Sequence, residues 1–100
     1  MRKPILVSHY LILRDLMNNV DVRQFSDRIV YLTARIENIK NDLVKRGLRF
    51  DEEAKANSSY SYYKPYILIK DNENMELAER LLKQYKTEKV IQFLKRLGRV

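Results

Sequence analysis

The sequence predicts an α+β domain, mainly helical, with one small β-hairpin. Apolar residues recur at helical spacing through residues 27–46. Two short runs of strand-forming residues, 48–50 and 62–71, flank a polar stretch without apolar periodicity. One hundred residues, 45% of them apolar and only two each Gly and Pro, suffice for one modest core and do not resemble a disordered tail.

Residues 5–17 read as a first helix, with Leu6, Tyr10, Leu13, Leu16 and Met17 at its apolar positions. "NNVD", residues 18–21, is a stop followed by a fresh start: Asn suits the position just past a helix, and Asp21 can cap the next. Residues 22–26 leave room for a turn or two. The strongest segment is "SDRIVYLTARIENIKNDLVKRG". Ser26 or Asp27 caps it, and Ile29, Leu32, Ile36, Ile39 and Leu43 share one face. Gly47 takes the position just past the helix end, after a cationic last turn.

Leu48, Arg49 and Phe50 read as a strand, "DEEAKANSS" as a loop, and residues 62–71 as a second strand. Pro65 places that strand at an edge, because proline cannot donate to a ladder. Alternation turns Tyr63, Pro65, Ile67 and Ile69 towards the core and Tyr62, Lys64, Tyr66, Leu68 and Lys70 outwards. Asn72 or Asn74 caps a last helical region, 75–97. Its two apolar stripes fall out of phase at about 100° per residue. Either the helix breaks at Thr87, itself a good cap, or the second stripe meets another chain.

The chain carries twenty Lys and Arg against thirteen Asp and Glu, a net +7 that favours a polyanionic partner. Without cysteine it has no disulfide, thiolate metal site or thiol nucleophile, which fits a cytoplasmic protein. No stretch approaches a membrane span, and Ser8, His9 and Tyr10 interrupt the apolar run behind the basic N-terminus. His9 is the single histidine, the acids at Asp51, Glu52 and Glu53 lack ligands at ordered spacing, and no Gly-rich phosphate loop is present. No enzyme activity, metal, cofactor or small-molecule substrate is expected.

Helix, short helix, long helix, strand, strand, helix is the order of a winged helix-turn-helix domain with one helix appended. "YLTARIENIKNDLVKRGLRF", residues 31–50, resembles small phage- and plasmid-type winged-helix DNA-binding domains. Ala34, Arg35 and Ile36 match the recognition-helix triplet, Ile39 the next apolar position, and Gly47 with "LRF" the exit into the wing. The resemblance implies a double-stranded DNA partner, with helix 27–46 in the major groove and the 48–70 hairpin against the backbone. Residues 1–71 would form the winged-helix domain. Residues 72–100 would be a helical extension that packs on the same core, dimerises, or both.

Opposite the apolar stripe of the long helix lie Asp27, Tyr31, Ala34, Asn38, Asn41 and Lys45, with Arg28 and Arg35 on the flank. Arg can pair with guanine, Asn with adenine, and an alanine methyl can meet thymine. The DNA-binding candidates are therefore Arg23, Arg28, Tyr31, Arg35, Asn38 and Lys45, with Tyr62 and Lys64 on the wing near phosphates. Val90, Phe93, Leu94 and Leu97 are the candidate homodimer contacts. Lys83, Lys86, Lys89, Lys95, Arg96 and Arg99 read as a solvated basic face.

The expected function is a small transcriptional regulator. The competing reading is a winged-helix protein-interaction module that does not bind DNA. Where the positive charge gathers discriminates the two.

Overall fold

The structure, a computed structural model, describes residues 6–20, 22, 31–33, 35–51 and 66–99. The helices whose bounds it describes are, in chain order, α1 (Val7–Met17), α2 (Ile36–Lys45), α3 (Asn72–Tyr85) and α4 (Glu88–Arg96). α1 is the central element, and its Leu11, Ile12 and Leu13 are almost wholly buried. That near-continuous apolar run is what an enclosed helix needs, and α3 packs against it. Beyond α1, Asn19 takes a left-handed conformation (φ 60°), and the Val20 amide returns to the Asp15 carbonyl at 2.9 Å.

α2 buries Ile36, Ile39 and Leu43. It ends as its sequence demands: Gly47 has φ +105°, its amide bonds the Val44 carbonyl at 3.0 Å, and the Leu48 amide bonds Leu43 at 3.1 Å. This crossed pair satisfies carbonyls that a helix end leaves open. A Cβ on Gly47 would lie 3.2 Å from Leu77 Cδ2, so close packing against α3 adds to the demand for glycine.

The continuous helix expected over residues 27–46 is not formed. Leu32 adopts φ 56°, and the helix resumes only at Ile36. Contacts from α1 hold this interruption: Ser8 Oγ donates to the Leu32 carbonyl at 3.2 Å, and the Tyr31 hydroxyl donates to Asp15 Oδ2 at 2.8 Å. Thr33 Oγ1 then accepts the Arg35 amide at 3.1 Å. Leu32, expected on the core face, is consequently exposed.

The expected β-hairpin wing is likewise not seen among the described residues. Among the described residues there is no strand, only an isolated antiparallel bridge between Phe50 and Leu68. Its bonds run from Asp51 N to Ile67 O (2.8 Å) and from Ile69 N to Arg49 O (3.1 Å).

Neighbouring backbone groups find other partners. Asn74, 2% exposed, accepts the Arg49 amide on Oδ1 and donates from Nδ2 to the Arg49 and Ile69 carbonyls. The Tyr66 amide donates to Val22 O at 2.7 Å. One side-chain amide and a distant carbonyl thus take the places a longer ladder would fill.

The facing of Tyr66, Ile67 and Leu68 is the reverse of the expected one, while Lys70 is exposed as expected. Tyr66 and Leu68 are buried, with the Tyr66 ring edge-on to Phe50, while Ile67 is 42% exposed. Most of the remaining strand expectation, residues 62–65, lies outside the described residues.

Asp71 caps α3 by accepting the Asn74 amide at 2.9 Å, and Arg49 Nη2 donates to the same carboxylate. The C-terminal region breaks where its stripes fall out of phase. Thr87 is extended, and its hydroxyl accepts the Val90 amide at 3.3 Å to start α4. The break turns Val90 and Leu94 into the same core cluster as α1.

Candidate nucleic-acid interface

Of the residues singled out for DNA contact, Arg23, Arg28, Tyr62 and Lys64 lie outside the described residues. Tyr31 is a core residue: it is 4% exposed, and its hydroxyl is spent on Asp15, so it has no surface to offer a groove. Arg35, Asn38 and Lys45 are exposed at or on α2. They share the solvent side with Glu37, Asn41 and Val44, which makes that face mixed rather than basic.

The polar flank of α2 is tied into the fold. His9 Nε2 lies 3.0 Å from Asp42 Oδ2, and Arg46 Nε donates to the same oxygen at 3.1 Å. Burial pushes the Asp42 carboxyl up, but hydrogen bonds from Arg46 and His9 outweigh it and hold the carboxyl below its ordinary value. The Arg46 guanidinium also sits 6.0 Å over the Tyr85 ring, whose hydroxyl is pushed up chiefly by burial. This joins α1, α2 and α3 structurally and leaves little charge for a ligand.

Positive charge gathers elsewhere. From Lys83 to Arg99 the chain carries six cations against one acid, Glu88, which is +5 of the total +7. Lys83, Lys86, Lys89, Lys95 and Arg96 are all exposed, and none forms an ion pair with an acid among the described residues. By contrast, α3 up to Arg80 exposes Glu73, Glu76 and Glu79 against Arg80 alone.

The burial of Val90 and Leu94 sets the orientation of α4. At about 100° per residue, Lys89, Gln92, Lys95 and Arg96 fall on the opposite, solvent side. The nine residues of α4 span about 14 Å, and Lys89 and Arg96 stand two turns apart. Lys95 and Arg96 also occupy the last turn, where the helix dipole favours cations.

Of the four proposed dimer contacts, Val90 and Leu94 are consumed by the core and cannot meet a second chain. Phe93 (37% exposed) and Leu97 (47%) remain at the surface beside the basic face. The cations themselves were countable in the sequence. Their solvated face was also expected, but which side of α4 it occupies was not, because that depends on which stripe of α4 the core takes.

No protein-family model, curated protein or solved structure matches this chain. No described helix is long and apolar enough to cross a membrane, and no cluster of potential metal ligands occurs among the described residues.

Proposed function

We propose that this protein binds double-stranded DNA as a small regulator, with the basic face of α4 and the end of α3 contacting phosphates. The observation that carries this reading is the concentration, between Lys83 and Arg96, of five exposed cations that form no ion pair with an acid among the described residues. Lysine and arginine on one helix face displace condensed counterions from a duplex, which gives affinity without base recognition. Arg35, Asn38 and Lys45 on α2 remain available for additional contacts, with Asn38 suited to an adenine edge. Glu37 beside them argues against α2 as the main source of affinity.

A salt series of fluorescence anisotropy on random-sequence duplex DNA tests the proposal. Binding should weaken steeply as salt rises, with log K linear in log salt. Absence of binding at low salt, despite +7, would remove the DNA reading.

Exposure of Phe93 and Leu97 favours a second reading, a protein-interaction module or homodimer that meets its partner through this short apolar ridge. Sedimentation of the wild type and of Phe93→Ser/Leu97→Ser separates the two. The second reading requires association that the double variant loses, while the first requires DNA binding that it keeps.

A further inference from the structure

A cleft of about 270 Å³ opens between the end of α1 and the segment that follows Tyr66. Leu16, Val20, Tyr66, Ile67 and Leu68 supply its apolar wall, and Asn19 and Lys70 its polar groups. Ile67, 42% accessible, is exposed on this wall between buried Tyr66 and Leu68, and Val20, 47% accessible, is exposed just past the turn that follows α1. The left-handed turn at Asn19 redirects the chain, so that Asn19 and Val20 line the cleft where a regular helix would have carried the chain onward. Lys70 Nζ donates to the Leu68 carbonyl at 2.9 Å, which keeps the ammonium group at the lining segment.

We infer that this cleft binds a small apolar carboxylic acid, its hydrocarbon part against Val20, Ile67 and Leu68 and its carboxylate on Lys70 Nζ and Asn19 Nδ2. The volume lies just below the usual range for ligand sites, which limits the occupant to a short aliphatic or single-ring acid. An ammonium on an apolar wall selects an anion over its neutral isostere, because a charge-assisted hydrogen bond is the stronger one. Partial burial already pushes the Lys70 amine below its ordinary value, and a bound carboxylate reverses that cost. The site is distinct from the basic face of α4, so its existence does not depend on DNA binding.

The test is a titration of the ¹⁵N-labelled full chain with hexanoate, phenylacetate and their neutral amides, followed by amide chemical shifts. Acetyl-leucine is added as a mimic of a peptide C-terminus. The inference predicts saturable shifts centred on Asn19, Val20, Ile67 and Leu68, with each acid binding about tenfold more tightly than its amide. Lys70→Gln should remove that tenfold preference while the amide's affinity is kept. Ile67→Glu, at an exposed position, should abolish acid binding and leave the rest of the spectrum unchanged. Preference for acetyl-leucine over hexanoate would assign the site to a chain terminus rather than a free acid. Shifts that do not saturate by about 10 mM, equal binding of acid and amide, or an unaltered preference in Lys70→Gln would each overturn the inference.

Discussion

Asn74→Ala is expected to be the most damaging single substitution among the exposed and buried polar residues described. Asn74 is 2% exposed, and its side chain serves three backbone groups: the Arg49 amide at 2.9 Å, the Arg49 carbonyl at 2.9 Å and the Ile69 carbonyl at 2.7 Å. Alanine would leave the Arg49 amide and the Ile69 carbonyl without that partner, while the Arg49 carbonyl keeps the Ile69 amide. Each unsatisfied buried group costs about 1–3 kcal/mol. Arg49 itself is exposed, so water can recover part of the loss, and a net destabilisation of about 3–5 kcal/mol follows.

For a domain of this size that is a large share of a total of about 5–15 kcal/mol. It corresponds to a drop in Tm of about 15–30 °C. Thermal and urea unfolding followed by circular dichroism measure it. Asn72→Ala, exposed at the first position of α3, is the control and should stay within about 0.5 kcal/mol. A cost below about 1 kcal/mol for Asn74→Ala would refute the claim that its amide replaces a strand ladder.

Tyr31→Phe deletes a charge-assisted hydrogen bond to Asp15 and should cost about 1–2 kcal/mol in urea unfolding. DNA affinity per folded molecule should not change, and a loss of affinity without a loss of stability would return Tyr31 to the interface. Thr87→Ala removes the α4 cap and should cost about 1 kcal/mol, read by the same assay.

Acid should destabilise the fold through two carboxylates. Asp71 is held below its ordinary value first by Arg49 and then by the Asn74 amide, and Asp42 is also held low. A carboxyl depressed in the folded state stabilises it above the unfolded value and loses that contribution as pH falls through the folded value. The urea midpoint should therefore decline below about pH 4. Asp42→Asn/Asp71→Asn should flatten that decline, and an unchanged acid limb would contradict the assignment.

Local signals were legible in the sequence where the cause is local. Gly47 ends α2 because its left-handed conformation and the crossed backbone bonds are encoded within one turn. Thr87 restarts the C-terminal helix because the apolar phase changes there and a hydroxyl is available to cap. The interruption at Leu32 has a remote cause, the reach of Ser8 and Asp15 from α1, and no spacing within residues 27–46 announces it. The facing of the segment after Pro65 was open to misreading because both of its alternating sets contain large apolar residues. Burial of Tyr66 against Phe50 decides between them. Asn74 looked like a cap and is instead a buried bridge, a role set by backbone groups 25 residues away at Arg49. At the candidate site the count of cations was plain, but the surface that gathers them follows from how α4 docks.

The central claim is tested most directly by Lys89→Gln/Lys95→Gln/Arg96→Gln beside the wild type, with duplex DNA affinity measured across a salt series. All three positions are exposed, so the fold should be kept. If these side chains contact phosphates, the triple variant should bind more weakly at low salt. Its plot of log K against log salt should be shallower by about 2–3, near 0.9 for each lost contact. An unchanged affinity and slope would contradict the placement of DNA on α4.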